Sequence, residues 1–231
     1  MTEGMRPLQG RTALMSGAAK GAGADVALAL AEQGANICLL THNIEHAKTL
    51  VERIEEAGGR GMVIACMVDD ERQLESAMDE AEARFGGGID IMFTNMGLMP
   101  DSSEYPKARV CDLAAGQWES YMRNAAQGAI VSIACAARRM RRQADGGIII
   151  NTAPYGMGSE PGLALYAASR ASIRAVVDAV NMESDMDDKP ISAHLLVNDG
   201  VDDWPAALAD RTVRLCSRMA DGLLDSDRSH D

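Results

Sequence analysis

Aromatic side chains are scarce in this sequence: two Trp, four Tyr and two Phe make up 3% of 231 residues. So little ring surface gives no support for a ligand held by stacked aromatics. Cysteine offers no framework either. Cys38, Cys66, Cys111, Cys135 and Cys216 are odd in number and lack CxxC spacing, and several fall inside apolar runs, which predicts reduced packing residues rather than disulfides or a zinc site. His42, His46, His194 and His230 form no ligand set with a carboxylate, so no metal is expected.

Positive charge is short as well. With 22 Lys and Arg against 34 Asp and Glu, the formal net charge is −12, which argues against nucleic acid or an anionic membrane as partner. The basic run "ARRMRRQ" (137–143) is the exception and reads as a solvated helix C-terminus, where cations complement the dipole. The longest apolar runs are too short to span a bilayer and no signal-like stretch opens the chain, so a soluble cytoplasmic protein is expected. No Pro/Gly/Ser-rich linker or break in composition divides residues 1–231, which read as one domain with a frayed tail over about 222–231.

What the sequence does have is alternation. Short apolar runs ("RTALMSG", "NICLL", "GMVIACMV", "IDIMFTN", "GGIIINTA", "ISAHLLVN") alternate with segments of helical period ("ADVALALAEQGA", "IEHAKTLVERIEEAGG", "ERQLESAMDEAEARFGG", residues 117–142 and 162–184). Buried strands alternating with helices predict an α/β fold: a doubly wound parallel sheet with helices on both faces and ligands beyond the carboxyl ends of the strands. Residues 97–116 and everything after Asn198 read as irregular. Trp204 is either a lid residue or an anchor, with the anchor preferred.

Between the first strand and first helix stands "SGAAKGAG" (16–23), a turn that lets backbone amides approach a pyrophosphate. "TNMG" (94–97) ends the fourth strand, and "YAASR" (166–170) begins thirteen residues after Ala153. Together these resemble the short-chain dehydrogenase/reductase family over about Arg6 to Gly200. The resemblance implies the Rossmann fold, without the family's last strand, and a nicotinamide dinucleotide. Ser16, Gly17, Lys20, Gly21, Ala22, Gly23, Thr41, His42, Val68, Asp69, Asn95, Gly97, Tyr166 and Arg170 are its expected cofactor contacts. Met96 stands where the family usually has Ala, and Met67 where an aspartate often meets adenine. No carboxylate ends the second strand, where Thr41 and His42 stand, and Lys20 lies in the turn, so NADP is expected over NAD.

Family members work with Asn, Ser, Tyr and Lys. Here the matching positions hold Ala125, Ala153, Tyr166 and Arg170, with Asn124 one residue, or 100° of helix, away from the Asn position. Tyr166 and Arg170 are the expected catalytic pair. A guanidinium roughly 5 Å from the phenol contributes on the order of 3 kcal/mol, about two pKa units towards phenolate, at an effective dielectric of about 20. It cannot release a proton near neutral pH as an ammonium can. An oxyanion donor lost at position 153 has Thr152, Tyr155 or the substrate itself as candidate replacements.

Three functions follow: an NADP-linked oxidoreductase of a small carbonyl or alcohol; a non-redox enzyme (elimination, isomerisation or epoxide chemistry); or a binding protein without turnover. Halohydrin dehalogenases share the Tyr-x-x-x-Arg pair but need a Ser at 153 and an aromatic at 21. Small apolar residues on several faces of helices 117–143 and 163–184 predict a homodimer, or a homotetramer, through those helices.

Overall fold

Strands that are apolar on both faces have to be covered on both faces, and that requirement sets the architecture. The computed structural model describes residues 6–95, 107–158, 160–187 and 189–222. Their strands are β1 (Thr12–Ser16), β2 (Asn36–Thr41), β3 (Arg60–Ala65), β4 (Ile91–Thr94), β5 (Gly147–Ala153) and β6 (Ile191–Val197). The helices are α1 (Ala22–Glu32), α2 (Ile44–Glu56), α3 (Glu71–Phe85), α4 (Ala115–Met122), α5 (Gly128–Met140), α6 (Ala164–Asp187) and α7 (Trp204–Ala220). All strand pairs are parallel in the order β3-β2-β1-β4-β5-β6. The order reverses beside β1, the place where such sheets open a crevice. Among the described residues no seventh strand follows α7.

Period-2 alternation divides the core. Leu14, Cys38, Met92, Ile149 and Ala193 face α3, α5 and α6, whereas Ala13, Met15, Ile37, Leu39, Phe93, Ile148 and Ile150 face α1, α2 and α7. Helix starts are written locally: Asn43 caps α2, Asp70 caps α3 and Asp203 caps α7, each through its side chain.

Two expectations change, and the preferred reading of Trp204 holds. The stretch after Asn198 is not irregular throughout, because α7 packs against α1 and buries Leu208, Thr212, Cys216 and Met219. Trp204, 7% exposed at the start of α7, is an anchor. The basic run is not a freely solvated helix end: Arg138 and Arg139 pair with Glu71, Glu75, Asp79 and Glu82 on α3, and Arg141 with Glu183 and Asp187 on α6. No helix among the described residues is long and apolar enough to cross a membrane.

Candidate active site

The carboxyl ends of β1, β2 and β3 enclose a cleft of about 260 Å³ lined by Ser16, Gly17, Leu40, Thr41, His42, Cys66, Met67, Val68, Asp69, Arg123, Asn124 and Gly128. The three turn glycines serve different ends. A Cβ on Gly17 would stand 2.1 Å from the Asn95 carbonyl oxygen, and one on Gly23 would stand 2.5 Å from that of Gly17, so both are needed for packing. Gly21 has no such neighbour within 4 Å, but its φ of +59° with ψ of −149° is a conformation that essentially only glycine adopts. It caps α1 without a side chain; the Ala24 amide donates to Gly21 O at 2.8 Å, so of the first turn it is the amides of Ala22 and Gly23 that are left for a ligand. Ala22 opens that turn, and Lys20 before it is exposed.

Thr41 Oγ1 accepts the Asn43 amide at 3.1 Å, which shapes the loop carrying exposed His42. β3 leaves the ladder at Ala65, so that Cys66 to Asp69 curve along the cleft; Gln73 Oε1 accepts the Met67 amide at 3.1 Å and holds that bend. Asn95 fixes the sheet centre. Its Nδ2 donates to Gly17 O at 3.3 Å, and its Oδ1 accepts the Thr152 hydroxyl at 2.6 Å. That commits the Thr152 proton and removes Thr152 from the candidate oxyanion donors. Gly97 and Met96 lie outside the described residues.

The second half of the site is closed. Tyr166 and Arg170, one turn apart on α6, are 2% and 1% exposed. The Tyr166 hydroxyl donates to Gly156 O at 3.0 Å and accepts the Tyr155 amide at 3.3 Å. Arg170 donates from Nη1 to Thr152 O at 3.1 Å, from Nη2 to Ala125 O, and from Nε to Ser169 Oγ at 3.3 Å. Its guanidinium carbon lies 5.4 Å from the centroid of the Tyr166 ring, over the face rather than at the hydroxyl. Burial pushes the Tyr166 pKa up, and the opposing Arg170 charge and Tyr155 amide do not reverse it. The expected displacement towards phenolate is therefore corrected: desolvation wins over the guanidinium. Burial also lowers the pKa of Arg170, against the pull of the Tyr166 and Tyr121 phenols.

Between α4 and α5 the helix makes a π turn, Arg123–Gln127. Ala125 faces inward and is 2% exposed, whereas Asn124 is exposed and lines the cleft. Asn124 therefore does not take the place of an inward Asn at 125. Ala153 is fully buried and brings no donor. Sequence reasoning missed Arg123 as a cleft residue, because its direction depends on a π turn that carries no composition signal.

Glu71, Glu75 and Cys135 place ligand-type atoms within 4.8 Å of one another, but both carboxylates are paired with arginines, Glu71 with Arg138 and Glu75 with Arg138 and Arg139. Cys38, Cys66, Cys135 and Cys216 are buried free thiols and Cys111 is an exposed one.

A family model described as short chain dehydrogenase matches residues 11–196. The mitochondrial (−)-isopiperitenol/(−)-carveol dehydrogenase of Mentha piperita is 30% identical over 181 residues, 78% of this chain and 66% of its own length. A chloroplastic NADPH-dependent aldehyde reductase-like protein of Arabidopsis thaliana is 28% identical over 187 residues, 77% of this chain and 68% of its own. The crystal structure of a metagenomic short-chain oxidoreductase in complex with NADP shares the fold at a TM-score of 0.79 and 20% identity, covering 93% of this chain and 94% of that one.

Proposed function

Because the chain belongs to the short-chain dehydrogenase/reductase family, we propose that it is an NADP-preferring oxidoreductase of a small carbonyl or alcohol, with Tyr166 passing the proton to or from the substrate oxygen. The observation that carries the nucleotide half is the cleft beyond β1, β2 and β3, lined by Ser16 and Gly17 where the glycine turn begins, a turn that leads into α1 through a glycine without a side-chain cap. Ser16, Gly17, Lys20, Gly21, Ala22 and Gly23 hold the pyrophosphate in this reading, Val68 and Asp69 flank the adenine, and Asn95 lets the cofactor approach the sheet centre. Thr41 leaves the end of β2 without a carboxylate, and His42 and Arg123 line the same cleft, which suits a 2′-phosphate. The name of the Arabidopsis relative carries the same cofactor. Bound there, a nicotinamide dinucleotide supplies or accepts the hydride. Arg170 holds the Tyr166 ring and offsets part of the burial that keeps its hydroxyl protonated. Tyr155, 45% exposed with its ring edge-on at 6.2 Å from that of Tyr166, remains a candidate donor to the substrate oxygen, as does the substrate itself.

Fluorescence titration with NADPH and NADH tests the nucleotide half: tighter binding of NADPH supports it, and no binding of either sinks it. A second reading, a nucleotide-binding protein without turnover, is favoured by the capped Tyr166 hydroxyl and by the alanines at 125 and 153. Consumption of NADPH with a panel of small carbonyls separates the two.

Assembly belongs to the same proposal. Trp118, Met122, Ala126, Ile130 and Val131 line a groove of about 450 Å³ on α4 and α5, and Met182 and Met186 are exposed on α6. A second copy covers these faces, as a homodimer or within a homotetramer. Light scattering should give the mass of at least two chains, and Ile130→Glu that of one.

A further inference from the structure

The turn from Ala153 to Gly158 closes over Tyr166, and one residue from another strand holds it there. Asn198 follows β6. Its backbone amide donates to Ala153 O at 3.0 Å, and its Nδ2 donates to Pro154 O at 3.0 Å. Its Oδ1 accepts the amides of Gly200 at 3.2 Å and Val201 at 3.1 Å, which fixes the direction of the side chain. The turn itself closes through Gly156 N donating to Ala153 O at 3.1 Å, so Ala153 O serves both Asn198 and Gly156.

Two glycines let the backbone cross the phenol. Gly156 has φ +66° and accepts the Tyr166 hydroxyl; Gly158 has φ +75°, and a Cβ there would stand 2.7 Å from Tyr166 Cδ1. On the outer side of the turn Tyr155 is half exposed. The turn is thus held from below by Tyr166 and from β6 by Asn198.

We propose that residues 153–158 are a latch over the Tyr166 hydroxyl, that Asn198 is the positioning residue that keeps it shut, and that the phenol meets a substrate only when the turn lifts. The proposal rests on the reading of Tyr166 as the proton-transfer group. Lifting exchanges two hydrogen bonds at the hydroxyl, to Gly156 O and from Tyr155 N, for bonds to the substrate or to water. A proline at 198 could not donate to Ala153 O and has no amide for Pro154 O, so the closed state depends on the identity of this residue.

Cleavage after Arg142 and Arg170 releases Tyr155 and Tyr166 in one tryptic peptide, because no Lys or Arg lies between them. Nitration by tetranitromethane, read by fragment masses, therefore compares Tyr166 with an exposed reference in the same molecule. In the full-length protein Tyr166 should be nitrated far more slowly than Tyr155. Asn198→Ala, which keeps the backbone amide, should raise the Tyr166-to-Tyr155 ratio about fivefold, as expected when, of the three side-chain hydrogen bonds lost, the one to the turn at Pro154 O is of ordinary net strength. Asn198→Pro should raise it further.

Gly156→Ala, which strains a left-handed position and sets a Cβ 3.3 Å from Asn198 O while leaving the Asn198 side chain in place, is a second route to the open state should the proline variant not fold. An unchanged ratio in folded Asn198→Ala and Gly156→Ala, with folding checked by circular dichroism, overturns the latch. A raised ratio without any gain in NADPH consumption upholds the latch and counts instead against Tyr166 as the proton donor.

Discussion

Arg170 and Ala125 are joined across two helices: the guanidinium on α6 donates to the Ala125 carbonyl inside the π turn, while its other arm holds Thr152 O at the end of β5. The cation is a strut between α6, the α4–α5 helix and the sheet before it is an electrostatic partner of Tyr166. Its fork geometry is what lets one side chain reach both carbonyls.

Replacing Arg170 should therefore cost stability as well as activity. Arg170→Lys brings a single ammonium that cannot span both acceptors, and leaves a buried carbonyl unpaired. A loss of about 1–3 kcal/mol in urea unfolding is expected. A variant as stable as the parent would show that the strut is dispensable.

Gly17→Ala and Gly21→Ala should separate packing from ligand approach. The first drives a Cβ to 2.1 Å from Asn95 O and is expected to destabilise the fold by about 3 kcal/mol. The second meets no atom within 4 Å but forces an alanine into a backbone region that costs about 1–3 kcal/mol. It should fold, and weaken NADPH binding about tenfold through the displaced amides. Calorimetry with and without NADPH reads both effects.

The pH dependence of stability follows from the raised pKa of Tyr166. Burial favours the neutral phenol, so this group contributes stability that is fully present below the ordinary tyrosine value of about 10 and is lost as pH rises through its higher folded-state value. The urea midpoint of the parent should fall towards that of Tyr166→Phe above about pH 10. A gap that stays constant with pH would mean that the hydroxyl is not desolvated.

Cofactor choice should turn on the end of β2. Thr41→Asp puts a carboxylate where ribose hydroxyls are read in NAD-binding sheets and where a 2′-phosphate is repelled. NADPH affinity should fall at least about tenfold, with NADH affinity unchanged or improved. Equal loss for both nucleotides would place the discrimination elsewhere.

The order of strands and helices was legible because each strand is apolar on both faces and each helix carries a 3.6-residue period. α7 was readable too, although residues after Asn198 looked irregular: the Asp203 cap, Pro205 in the first turn and the spacing of Leu208, Thr212, Cys216 and Met219 all announce a helix. The glycine turn was legible as a motif, but only the packing against Asn95 and the open side at Gly21 distinguish its glycines. Two features left no local trace. The π turn that aims Arg123 and Asn124 at the cleft has no residue signature, and the closure of Tyr166 depends on Asn198, 44 residues from Pro154. Side-chain spacing also put the guanidinium beside the phenol without saying that burial would outweigh it.

The most direct test of the central claim is NADPH oxidation by the parent and by Tyr166→Phe under identical conditions with a panel of small aldehydes and ketones. The expected result is saturable NADPH consumption with at least one carbonyl, falling by about two orders of magnitude or more when the proton donor is removed. Tight NADPH binding by both proteins, with equal consumption or none, would contradict proton transfer by Tyr166.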